Sequence, residues 1–244
     1  MARDASSKIR LAAVGDLHCR EDQHGRFRQL VKQINAEADM LLLCGDLTDR
    51  GMVEEGKVLA EELSALRVPV AAVLGNHDYE HNQAKEICGE LSRAGVHILD
   101  GDHFIFEKML GVAGVKGFGG GFGNATLQAF GEGQTKSFVQ EAVTESLKLE
   151  AALSHLDTPK KVVIMHYAPV PETLEGENIE IRPFLGTSRL AMPVDHYGAE
   201  AVFHGHAHHG APQGKTKSGI PVYNVAMPLM TKMHPEQRFL LLEV

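Results

Sequence analysis

MLLLCGDLTDRG, residues 40–51, is five apolar residues, a glycine, and then two aspartates and an arginine within five positions. A short apolar run halted by glycine and polar residues reads as a buried strand, and Gly45 lets the chain leave that strand sharply. Asp46 then stands just past the carboxyl end of the strand, where open α/β sheets build their sites. Four more runs repeat the pattern. IRLAAVGDLH (9–18) delivers Asp16 and His18, and VPVAAVLGNHD (68–78) delivers Asn76 and His77. KKVVIMHY (160–167) delivers His166, and EAVFHGHAHH (200–209) delivers His204, His206 and His208. Five strand ends that present Asp, His and Asn to one rim predict a polynuclear metal site.

Between these runs lie segments of helical spacing: 23–38 with Phe27, Leu30, Val31 and Ile34, 53–66 with Val58, Leu59 and Leu63, and 82–94. A strand at 96–99 closes this half. Strand–helix repetition predicts a sheet with right-handed crossovers. The middle then changes character. Residues 104–108 and 110–115 read as a hairpin, and Gly117–Asn124 (GFGGGFGN) neither fits GxGxxG nor opens a helix, so a dinucleotide loop is not expected. A long helix at 136–156 precedes the strand at 161–165, and 168–187 reads as a loop. A short helix follows at 190–198, a strand at 201–204, and strands of a second sheet at 220–226 and 238–244.

The 244 residues suffice for one full core. We expect a loose tail over 1–8 and a single domain over 9–244. With 24 Lys and Arg against 32 Asp and Glu, the net charge is −8, which argues against a broad nucleic-acid footprint. Cys19, Cys44 and Cys88 form no CxxC pair and suit a reducing compartment. The polar start lacks an apolar leader core, and no run reaches the ~18 residues of a membrane span. A cytoplasmic protein with no membrane partner is expected; oligomeric state is left open.

Asp16 and His18, at i and i+2 leaving a strand, are expected on one face, and so are His206 and His208. A carboxylate has two oxygens, so Asp46 is able to bridge two cations. Mixed Asp, His and Asn ligands suit first-row ions such as Mn, Fe, Zn, Co or Ni better than Ca or Mg. Two such ions generate hydroxide near neutral pH and clamp the oxygens of a phosphoryl group.

The series D-x-H, GDxxDRG, GNHD, a lone His after a strand, and GHxH, complete and in this order from Asp16 to His208, resembles the calcineurin-like metallophosphoesterase superfamily. Within it, the chain is most similar to the small bacterial-type phosphoesterases and phosphodiesterases. The resemblance implies a four-layer α/β sandwich with two facing mixed sheets. It implies one metal on Asp16, His18, Asp46 and His208, and a second on Asp46, Asn76, His166 and His206. His77 takes the leaving oxygen's side, Asp49 orients His77, and Arg50 meets phosphate. The expected activity is dinuclear hydrolysis of a small phosphorylated substrate, a metal-bridging hydroxide attacking phosphorus, with a lean to diesters. Two readings stand beside it: a phosphomonoesterase, and a non-catalytic interaction module on the same fold.

Overall fold

A computed structural model describes residues 8–244. The expected tail at 1–8 lies outside the described residues except for Lys8, whose ammonium pairs with Glu243 at 2.7 Å. In the first sheet, β1 (Arg10–Val14), β2 (Met40–Cys44), β3 (Val70–Val73) and β4 (Val96–Ile98) run parallel in that order. Helices α1 (Arg28–Glu37), α2 (Val53–Leu63) and α3 (Ala84–Arg93) connect them. In the second sheet β5 (Asp102–Phe106) pairs antiparallel with β6 (Leu110–Val115), and β7 (Lys160–Met165) and β8 (Ala201–His204) continue from β6 in parallel. The sheet is completed by β10 (Pro221–Asn224), parallel to β8, with β9 (Gln213–Lys215) antiparallel at its edge. Helix α4 (Gly133–Ser154) links β6 to β7, and α5 (Arg182–Leu185) and α6 (Ala191–Tyr197) lie between β7 and β8.

Strand alternation sets the layers. Within β2, Leu41 and Leu43 pack with Ile34, Leu59, Ile87 and Leu91 of the first three helices. Met40, Leu42 and Cys44 point the other way and meet Leu110, Val112, Ile164 and Phe203 of the second sheet. The far face of that sheet, with Val115, Val163, Met165 and Val202, is covered by Leu149 and Leu153 of α4 and Val194 of α6. The order is therefore helix, sheet, sheet, helix, as expected. A strand buried on both faces reads as an unbroken apolar run, which is why these runs dominate the sequence. Each Leu or Ile so buried contributes about 1.5–3 kcal/mol.

Some elements differ from expectation. The segment 238–244 was expected in the second sheet. Instead β11 (Leu240–Glu243) pairs antiparallel with β1 at the edge of the first. Helix α1 starts at Arg28 rather than 23, because residues 21–27 form turns whose Gly25 and Phe27 amides donate to the Glu62 carboxylate of α2. The hairpin's first strand ends at Phe106, since Glu107 and Lys108 hold φ of 48° and 60° in a turn closed by the Met109 amide on Phe106 O, and three residues separate the paired Phe106 and Leu110. Helix α7 (Met227–Met233) and β9 were not foreseen. No helix among the described residues is long and apolar enough to cross a membrane.

Candidate metal centre

The ends of β1, β2, β3, β7 and β8 converge on one spot between the two sheets' carboxyl rims. Three groups of ligand atoms gather there, the atoms of each within 4.8 Å of one another: Asp16, His18 and His208 in the first, Asp46, His166 and His206 in the second, and His18, Asp49 and His77 in a third that shares His18 with the first. Asp46 is buried between the first two. Its Oδ2 is 3.8 Å from His18 Nε2, and its Oδ1 is 3.4 Å from His166 Nε2. Asn76 joins the second group, with Oδ1 3.0 Å from His166 Nε2. In the first, His208 Nε2 is 2.9 Å from Asp16 Oδ1.

The expectation that i, i+2 spacing sets each pair on one face is overturned for His206 and His208, which part, whereas Asp16 and His18 do meet in one group, through left-handed turns rather than strand geometry. Asp16 and His18 have φ of 56° and 43°, Asp46 has 48° and His206 has 70°. Left-handed backbone at four non-glycine residues of one site is a costly arrangement that the surrounding packing enforces. These turns send His206 to the Asp46 group and His208 to the Asp16 group. Glycines make the convergence possible. A Cβ on Gly75 would collide with the Asp46 carboxylate, and one on Gly205 with that of Asp16.

Backbone contacts aim the rings. A carbonyl only accepts, so His166 Nδ1–H donates to Cys44 O at 3.0 Å and turns Nε2 toward the centre. The His77 amide donates to Asp46 Oδ1 at 2.9 Å, and the His206 amide to Asp16 at 3.0 Å. Burial works against charge on both Asp46 and His166, but their mutual attraction prevails. It holds Asp46 well below the usual carboxylate range and pushes His166 up to about 9. Burial, and then His166, lowers His206 to about 3. Burial lowers His18 as well.

His18 supplies the test of fit for metal: both ring nitrogens are buried without a hydrogen-bond partner. A neutral imidazole desolvated in this way is costly unless a ligand replaces water. With carboxylates and imidazoles around it, a cation is the ligand that fits.

His77 stands beside this centre, outside the Asp16 and Asp46 groups but in the third with His18 and Asp49. Its Nδ1–H donates to the Asp49 carbonyl at 2.6 Å, and Nε2 lies 4.0 Å from Asp46 Oδ2. The contact comes from the Asp49 main chain. The Asp49 carboxylate faces His18 Nδ1 at 3.6 Å and lies within 4.8 Å of a His77 ring nitrogen without a hydrogen bond to it. Arg50 is exposed; its amide donates to Glu55, and its carbonyl accepts from His81 Nδ1 at 2.7 Å. His204 is buried, with Nδ1–H on Gly205 O and Nε2 on the Thr173 hydroxyl, and belongs to none of the three groups.

Sequence reading passed over several participants. Buried Asp78 accepts from the amides of Leu47, Thr48 and Gly75 and from the Thr48 hydroxyl, tying the two ligand turns together. Burial, and then Asp46, pushes its pKa up to about 6. Tyr167 packs its ring 4.5 Å from that of His206. Lys116 sits over Phe118 and Tyr167, at 4.9 and 5.5 Å. The final Asp of GNHD and the Tyr after His166 were the available signals; nothing local marks Lys116.

The chain belongs to the calcineurin-like phosphoesterase family, whose model matches residues 9–210. It is 27% identical to a probable cyclic nucleotide phosphodiesterase of Rhodococcus erythropolis, over 88% of this chain and 67% of that protein. It is 31% identical to the UDP-2,3-diacylglucosamine pyrophosphatase LpxG of Chlamydia muridarum, where the match spans 34% of this chain and only 27% of that protein. Among solved structures, the phosphopantetheinyl hydrolase PptH of Mycobacterium tuberculosis superposes with a TM-score of 0.67, covering 95% of each chain. At 16% identity that likeness is one of fold.

Proposed function

We propose that this chain hydrolyses esters of phosphate with two first-row transition ions, Mn, Fe, Zn, Ni or Co, and favours small phosphodiesters. One observation carries the reading: the two oxygens of buried Asp46 face two separate histidine groups. Asp16, His18, Asp46 and His208 would hold one ion, and Asp46, Asn76, His166 and His206 the other. Bound there, the ions would polarise the phosphoryl oxygen and lower the pKa of water.

The chain's own residues do the rest. Asp46 keeps the two groups in register. The Cys44 carbonyl fixes the His166 tautomer, so Nε2 faces the cation. His77, with Nδ1–H committed to Asp49 O, offers Nε2 to the departing oxygen. When protonated there, it can hand over the proton that oxygen needs. Arg50 is read as a contact for a phosphate oxygen. The diester lean is supported by the net charge of −8, which opposes a dianion more than a monoanion, and by a relative named as a phosphodiesterase. We read 9–244 as one unit, supported by the pairing of β11 with β1. A cytoplasmic setting fits the three free cysteines.

The test loads chelator-stripped protein with Mn, counts metal per chain, and compares kcat/KM for 4-nitrophenyl phosphate and bis(4-nitrophenyl) phosphate. Two ions and a diester preference are expected. One ion per chain, or a tenfold monoester preference, would overturn the corresponding half of the reading.

A further inference from the structure

Beside the polar centre runs a continuous line of rings. Tyr167 lies 4.5 Å from His206, Phe118 lies 5.8 Å from Tyr167, Phe138 4.8 Å from Phe118, and Phe184 6.1 Å from Phe138. The line begins at the centre and ends at the surface, where Phe184 is 60% exposed. Phe184 is itself close to the centre, because its carbonyl oxygen is 3.4 Å from His206 Nε2. Ile181, 42% exposed, precedes it by three residues on the turn that opens α5, so the two side chains share a face.

This segment is held in place. Pro183 O accepts from the Gly120 amide at 2.6 Å, and Leu185 O from the Ala168 amide at 3.0 Å. The glycine-rich stretch 117–124, which the chemistry left unused, is the strap that holds it. Single exposed apolar residues are ordinary. An exposed apolar face that is fixed in position, backed by tilted and edge-on rings and joined to a ligand cluster marks a binding surface.

We propose that the substrate carries an apolar chain on one ester arm, and that Phe184 and Ile181 receive that arm as it passes His206. The inference rests on the reading of the centre as a phosphodiester hydrolase and names its substrate class. A planar base would need only one ring. Ile181 beside Phe184 extends the surface past a ring's length, which suits an alkyl or acyl chain.

The test uses Mn-loaded protein and 4-nitrophenyl esters of methyl, butyl and hexyl phosphate, with thymidine 5′-(4-nitrophenyl phosphate) as the base-bearing rival. In each, a water oxygen bonds to phosphorus, the bond to nitrophenolate breaks, and the alkyl or nucleoside phosphate is released. We expect kcat/KM to rise on the order of tenfold from methyl to hexyl, since each methylene gains from leaving water. Phe184→Ala and Ile181→Ser should each flatten the hexyl-to-methyl ratio, and Met192→Ala, an exposed apolar residue on α6, should leave it as it is. A flat series with the methyl ester turned over would overturn this inference and leave the hydrolase reading standing. A thymidine ester preferred tenfold over the hexyl ester would overturn it in favour of base stacking. If no ester is turned over, the hydrolase reading fails, and calorimetry decides the inference alone: dihexyl phosphate must bind the Mn-loaded protein more tightly than dimethyl phosphate, and equal affinity overturns it.

Discussion

At the scale of single residues, His77 and Asp49 separate the roles of side chain and main chain. His77 is held by the Asp49 carbonyl, a group that any residue at position 49 supplies. His77→Ala is therefore expected to keep its metals and lose about 10²–10⁴-fold in kcat on an ester with a poor leaving group. Asp49→Ala should lose less than about tenfold. An Asp49→Ala loss equal to that of His77→Ala would mean that the carboxylate does the work. The Asp46–His166 pair gives a second expectation, for metal-free protein. His166 is raised from 6.5 to about 9, so its stabilising contribution is complete below about 6.5 and is lost as pH rises through 9. The Tm of chelator-treated protein should fall between pH 6.5 and 9, and Mn loading should remove the fall by displacing the proton. A flat Tm for the metal-free protein across that window would contradict the ion pair.

At the scale of elements, the ligand turns depend on close approach of backbone. Gly205 follows β8 and presses on the Asp16 carboxylate, which follows β1. Gly205→Ala should destabilise the fold by about 1–3 kcal/mol, the usual cost of forcing a methyl into a filled site, and weaken metal binding with it. Denaturant midpoints and metal titration measure the two effects; an unchanged midpoint would show that the turn relaxes freely. This dependence was partly legible. The recurring glycine before Asp46, Asn76 and His206 signalled sharp exits from strands. The left-handed φ of Asp16, His18, Asp46 and His206 was not. Strand periodicity extended past His204 puts His206 and His208 on one face, whereas the left-handed turn at His206 sends them to different groups.

For the whole molecule, the centre joins the two sheets. Asp16, His18, Asp46 and Asn76 follow strands of the first, and His166, His206 and His208 follow strands of the second. Metals bound there should hold the sheets together and stabilise the folded state by about 4 kcal/mol at a thousandfold excess over Kd. For a chain of this size that is roughly 8–16 °C in Tm, measured by thermal scans with Mn and with chelator. A Tm that ignores the metal would argue that the ligands do not span the sheets. The sequence by itself determined the strands, the helices between them, the ligand types and their order, because apolar period and glycine placement are local properties of the chain. Only the tertiary structure decided that residues 240–243 return to the first sheet, that His206 and His208 part company, and that Phe184 and Tyr167 line one side of the centre. Those outcomes join residues from about 20 to 230 positions apart, and which of them meet depends on how every layer packs rather than on any neighbouring residues.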